Sequence, residues 1–228
     1  MTLILDHKQQ EGPDTTSFFF KSDPPLSWTA GQFLHYTLPH QNPDSRKTER
    51  YFTISAAPEE GQVRVTTRFA GEKGSSFKKA LQALPIGGSI EAEGPEGDFI
   101  VEDATKDFVF IAGGIGITPF RSILIDLDHR ELPMHVTLLY ANRTEDAVYR
   151  TELEALAAKH PDLKIVYFIG DTRIDELAIK TAAPELQKPI YFISGPEPMV
   201  QAFEKMLTQM VIPDGQIKRD FFPGYDWP

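Results

Sequence analysis

A chain of 228 residues with 41% hydrophobic and 25% charged residues has the composition of a soluble globular protein with one large or two small domains. Its formal net charge of −10 argues against nucleic acid as a main partner, because a phosphate backbone would be repelled at long range. The lack of cysteine excludes disulfides, thiolate-held iron–sulfur clusters and a cysteine nucleophile, and no metal site is expected. Apolar runs such as 108–112 are too short to cross a bilayer. The opening MTLILDHKQQ has no basic stretch leading into an apolar one, so a cytoplasmic protein without a secretory leader is expected.

Up to about residue 103 the chain carries short β-rich runs at 15–21, 32–38, 51–56, 62–69 and 89–93. Turn-forming clusters such as GPDTT, PHQNPDSRKTE and PEEGQ separate them, which predicts an antiparallel β-barrel or sandwich. One segment differs: Phe77, Leu81 and Leu84 are spaced by 4 and 3, which predicts a short helix over 75–84. After residue 105 the rhythm changes. Apolar runs at 108–112, 136–141, 164–169 and 190–194 alternate with helical stretches at about 119–130, 145–159, 174–180 and 197–210. That alternation predicts βαβ units and a doubly wound parallel sheet. The expected organisation is a β-barrel domain over 1–103 and an α/β domain over 104–228.

The first parallel strand runs into Gly113-Gly114-Ile115-Gly116-Ile117-Thr118-Pro119 and then a helix. Glycines allow a tight turn and close approach of a ligand to the backbone, and proline fits the first helical turn because its missing N–H costs nothing there. Free N–H groups at the positive helix end suit a pyrophosphate. The motif is a variant of the dinucleotide fingerprint, and a turn that only joins strand to helix is the alternative.

Seven segments in order resemble the ferredoxin-NADP reductase superfamily, which includes cytochrome b5 reductases and oxygenase reductases: AGQF at 30–33, RYFTISAAP at 50–58, GEKGSSFKKAL at 71–81, EGPEGDF at 93–99, GGIGITP at 113–119, SGPEPM at 194–199 and DFFPGY at 220–225. The resemblance implies a barrel that binds FAD, with FMN the less favoured flavin, and an α/β domain that binds NADH or NADPH. It assigns Arg50 to the flavin pyrophosphate, Tyr51 and Phe52 to the flavin-binding strand, and Thr53 to the neighbourhood of flavin N5. Phe52 stands where many relatives carry Tyr, and strict strand alternation puts Phe52 and Thr53 on opposite faces. Gly74, Ser75 and Ser76 match the flavin phosphate site at the start of the short helix, where serine could equally act as a plain N-cap. Thr67 and Phe69 are further candidates to line the flavin.

On the nucleotide side the resemblance assigns Gly113, Gly114, Gly116, Thr118 and Pro119 to the pyrophosphate turn, and Gly195, Pro196 and Met199 to the nicotinamide turn. Ser194 stands where relatives carry Cys, close to the carbon that gives up hydride, and Asp220 replaces a Glu expected to position the nicotinamide or a proton. Phe222 or Tyr225 would stack on the ring face, with Trp227 as another possible lid. Arg143 and Arg173 could meet a 2′-phosphate, whereas Asp171 would repel one, so NADH is preferred. Together these readings imply an FAD-dependent NAD(P)H oxidoreductase that passes electrons to a separate acceptor such as a small redox protein. A reductase of free flavin and a non-catalytic nucleotide-binding subunit are the competing expectations.

Overall fold

The computed structural model describes residues 1–69, 71 and 74–222. Its first half is a curled six-stranded antiparallel sheet of β1 (Thr2–Gly12), β2 (Thr15–Ser22), β3 (Phe33–Thr37), β4 (Glu49–Thr53), β5 (Val63–Arg68) and β6 (Ser89–Glu96), with helix α1 (Ser76–Ala83) between the last two. The strand order is β4-β3-β6-β1-β2-β5. The two outer strands come together where Ser55 N–H donates to Arg64 O at 2.8 Å. Alternate residues face inward: Leu3 and Leu5, Phe18 and Phe20, Leu34 and Tyr36, and Val63 and Val65 are buried and pack against Phe77 and Leu81 of α1. Burying each such side chain stabilises the fold by about 1.5–3 kcal/mol.

The second half is a five-stranded parallel sheet of β7 (Phe108–Gly113), β8 (Val136–Asn142), β9 (Leu163–Ile169), β10 (Ile190–Pro196) and β11 (Ile217–Phe222), in the order β11-β10-β7-β8-β9. Helices α2 (Thr118–His129) and α3 (Arg150–Lys159) cover one face, and α4 (Glu176–Ala182) and α5 (Glu197–Gln209) the other. β7 is buried throughout because both of its faces carry helices, which explains its unbroken apolar sequence. The chain winds from β7 outward to β9 and then returns to β10 on the other side of β7. The switch point of the sheet therefore lies between β7 and β10, where ligands of such sheets bind. Among the described residues no helix is long and apolar enough to cross a membrane.

Three elements differ from the sequence expectation. β1 is a full strand, although only Leu3 and Leu5 show apolar alternation. Its polar second half is held as a hairpin arm by β2, with Gln9 opposite Ser17 and Gln10 opposite Thr16. β11, with three charged residues in a row, is a strand because those charges find partners: Lys218 reaches Glu102, and Arg219 reaches Glu204 and Asp214. Helix α3 starts at Arg150 rather than 145, because Tyr149 adopts a left-handed conformation (φ 63°) and turns its ring into the contact between the two halves.

Candidate functional site

The glycine segment leaves β7 as one turn of 3-10 helix over Gly114–Ile117 and continues directly into α2, with Pro119 in the first turn. The Thr118 hydroxyl donates to Ile115 O at 3.1 Å and fixes this corner. Gly114 has φ +53°, which a side chain would disfavour, and a Cβ there would lie 3.5 Å from Arg68 Nη1 at the end of β5. A Cβ on Gly116 would sit 2.2 Å from Ser194 O, and one on Gly113 would meet Met199 Sδ. Thus the glycines let the turn of β7, the end of β10 and the barrel strand β5 converge at the switch point. Met199 is fully buried beneath the turn and acts as its support.

Ser194, two residues before the end of β10, lies directly opposite Asp220 of β11, and its hydroxyl donates to Asp220 Oδ2 at 3.0 Å. Desolvation between the strands pushes the Asp220 carboxyl up to about 6, with the Ser194 hydrogen bond pulling weakly the other way. The pair couples two residues 26 apart in sequence, the buried Ser194 and the half-buried Asp220, into one polar unit beside Gly195 and Pro196. Phe222 pairs with Pro196 through the backbone, while Tyr225 and Trp227 lie outside the described residues.

On the barrel side, β4 turns Arg50 and Phe52 toward α1, where the guanidinium lies 5.5 Å from the Phe77 ring centre and Phe52 packs on Phe77 and Tyr36. Tyr51 points the other way; it is exposed and stacks on His35 at 4.4 Å. Thr53 is buried at the end of the strand. Ser75 is the N-cap of α1, accepting from Lys78 N–H at 3.3 Å, and Gly74 precedes it. Arg50 and Ser76 meet on one group: the Asp44 carboxylate takes two bonds from Arg50 Nη2, each 2.8 Å, and one from Ser76 N–H at 3.0 Å. Thr67 is buried with its hydroxyl unpartnered, and Arg50 Nε–H is also buried and unpartnered. Phe69 packs on Phe18.

Near the outer end of the sheet, Asn142 at the end of β8 is buried with neither amide atom hydrogen-bonded. A cavity of about 180 Å³ lies on the α5 face of the sheet, lined by the preceding residue Ala141 together with Thr172, Arg173, Ile174, Ala202, Phe203 and Met206. Arg143 lies on the exposed loop just beyond.

Sequence reasoning missed the residues that join the two halves. Arg121 of α2 is 2% exposed and clamps Glu60 from the segment after β4, Glu152 of α3 and the Ser55 carbonyl, through bonds of 2.6–2.9 Å. Beside it, the Ser122 hydroxyl donates to Ala56 O at 2.7 Å, and Tyr149 bonds Thr66 while lying 4.8 Å from Arg64 and 5.3 Å from Arg121. The signal was present: Arg121 stands among Phe120, Ile123 and Leu124 on the apolar side of its helix, where an unpaired charge would be costly.

The residues fit a flavin diphosphate on the barrel side and a dinucleotide on the other. Buried, unpartnered polar atoms lie at Thr67, Arg50 and Asn142, and the glycine turn brings its backbone to the switch point with no side chains of its own at Gly113, Gly114 and Gly116. Two family models match the chain: an oxidoreductase FAD-binding domain over residues 2–100 and an oxidoreductase NAD-binding domain over residues 110–205. The ferredoxin reductase component of 3-ketosteroid-9-alpha-monooxygenase from Mycobacterium tuberculosis (strain CDC 1551 / Oshkosh) is 31% identical over 207 residues, covering 88% of this chain and 56% of that protein. A flavohemoprotein of Burkholderia sp. (strain TH2) is 25% identical over 234 residues, covering 96% of this chain and 58% of that one. The chain therefore spans somewhat more than half the length of these curated relatives. Among solved structures, the cytochrome b5 reductase domain of Ulva prolifera nitrate reductase superposes with a TM-score of 0.82 at 26% identity, covering 96% of each chain.

Proposed function

Because the chain belongs to the ferredoxin-NADP reductase superfamily, an FAD-binding barrel joined to an NAD-binding α/β domain, we propose that it moves electrons between NAD(P)H, a bound FAD and a separate redox partner. Residues 1–103 are assigned to the flavin and 104–228 to the nucleotide. The observation that carries this reading is the convergence of the glycine turn, the Ser194–Asp220 pair and the end of β5 at the switch point of the sheet.

When bound, the nicotinamide supplies a hydride and the flavin accepts it, chemistry that asks no nucleophile of the protein. The contribution of the chain is alignment and exclusion of water. Arg50 and the Ser76 N–H are the anion donors for the flavin phosphates, and the buried Thr53 and Thr67 hydroxyls are assigned to the ring. Gly113, Gly114 and Gly116 let the turn pack against Met199, Arg68 and the Ser194 carbonyl, and the backbone so positioned is assigned to the nucleotide pyrophosphate. Ser194 is assigned to the nicotinamide, with its hydroxyl oriented by Asp220; above about pH 6 the ionised carboxylate can only accept, which fixes Ser194 as its donor. The Arg121 clamp holds the segment after β4 against α2 and so fixes the distance between the flavin and nucleotide sites. The cavity lined by Ala141, Thr172 and Arg173 is assigned to the adenosine end, and Asp171, next to Thr172 in the chain, favours NADH over NADPH.

Electrons leave to a separate acceptor; the reductase components of oxygenases among the relatives make a protein acceptor the leading candidate. Flavin content tests the reading. Purified protein mixed with excess FAD and desalted is expected to retain one FAD per chain and to bind NADH. A folded chain that takes up no flavin would sink it.

A further inference from the structure

The two anion donors assigned to the flavin phosphates are already engaged by a carboxylate of the chain itself. Asp44 lies in the loop joining β3 to β4, with both of its oxygens on Arg50 Nη2 and one of them also on Ser76 N–H at the start of α1. The other terminal nitrogen, Arg50 Nη1, is occupied by the carbonyls of Arg46, Lys47 and Glu49, which leaves only the buried Nε–H of this guanidinium without a partner. The Ser76 hydroxyl is engaged as well. It accepts from Asp44 N–H at 2.9 Å and donates to His40 Nε2, since the Nδ1 of that ring faces the Leu38 carbonyl and must carry the proton. Charge-assisted bonds from one guanidinium nitrogen to both carboxylate oxygens, together with a helix N-terminal N–H, make an anion seat of the kind that also holds a phosphate.

We propose that Asp44 is a built-in phosphate mimic in the flavin diphosphate seat, and that it determines how tightly diphosphate-bearing flavins bind. This rests on the reading that the barrel binds a flavin at Arg50 and Ser76. A diphosphate and an ionised carboxylate cannot share the fork, because like charges a few ångströms apart repel strongly in a partly buried site. FAD must therefore expel Asp44 and unlatch the 41–48 loop, whereas riboflavin, which has no phosphate, need not. The device lowers affinity for FAD relative to riboflavin and makes the bound FAD exchangeable.

The test compares FAD and riboflavin affinities of the full chain and its Asp44→Asn variant by fluorescence titration, with thermal unfolding as a check on folding. FAD should bind at least about tenfold more tightly to the variant, a difference of about 1.4 kcal/mol, while riboflavin affinity stays unchanged. Unchanged or weakened FAD binding, or an equal gain for both flavins, overturns the proposal. If the variant does not fold, hydrogen exchange of the wild type decides: faster exchange over 41–48 with FAD than with riboflavin supports expulsion, and equal or slower exchange refutes it. A wild type and variant that bind neither flavin would instead refute the flavin reading itself.

Discussion

Replacing Arg121 by Met keeps the apolar stem of the side chain and removes its fork, so it isolates the clamp between the two halves. The guanidinium has five N–H groups, and all five are used: two on Glu60, two on Glu152 and one on the Ser55 carbonyl. Breaking a fully buried ion pair costs about 3–5 kcal/mol, because the abandoned charge stays desolvated. Here the carboxylates are 32% and 37% exposed and can partly rehydrate, which places the expected loss near the lower end, about 3 kcal/mol. For a chain of this length that corresponds to a fall in Tm of roughly 6–12 °C. Arg121→Lys, which restores the charge without the fork, should recover less than half of the loss. Unfolding followed by far-UV circular dichroism and by tryptophan fluorescence in a Trp227→Phe background, which leaves Trp28 of the barrel core as the reporter, should coincide with Arg121 present and separate in Arg121→Met. A loss below about 1 kcal/mol with the two probes still coincident would refute the claim that Arg121 holds the halves together.

Three further outcomes are expected. Gly116→Ala forces a methyl group against the Ser194 carbonyl, a backbone atom that cannot give way cheaply. It should cost about 1–3 kcal/mol and abolish nucleotide binding in a titration with NADH, while FAD uptake is retained. Asp220 is raised from 3.8 to about 6, so its contribution to stability is fully present below pH 3.8 and is lost as pH rises to about 6. Urea melts should show the stability of the wild type falling relative to Asp220→Asn by about 2–3 kcal/mol between about pH 4 and pH 7; a constant difference across that range would contradict the burial of the carboxyl. Initial rates with the two nucleotides should favour NADH, and Asp171→Ser should narrow the preference; an NADPH preference in the wild type would remove Asp171 from the account.

The fold was legible wherever burial is two-sided or alternating. β7 reads as a strand because both faces are covered, and α1 reads as a helix because Phe77 and Leu81 recur on one side. β11 was not legible, because its Lys218, Arg219 and Asp220 find ion-pair or hydrogen-bond partners elsewhere in the chain, among them Glu102, Glu204 and Ser194. The start of α3 was hidden for a similar reason: the left-handed Tyr149 is set by contacts to Thr66, Arg64 and Arg121 that no local pattern encodes. Within the candidate site, the glycine turn could be read because glycine has few reasons to cluster between a strand and a helix. The role of Asp44 could not, since an acidic residue in a polar loop reads as solvent-facing until Arg50 and Ser76 are seen around it.

The most direct test of the account is an anaerobic titration of the FAD-loaded protein with NADH, followed in the visible spectrum. The account predicts that the flavin bands bleach in proportion to the NADH added and return when oxygen or another acceptor is admitted. Flavin that stays oxidised in the presence of bound NADH would contradict it, because the two sites would then fail to bring donor and acceptor together.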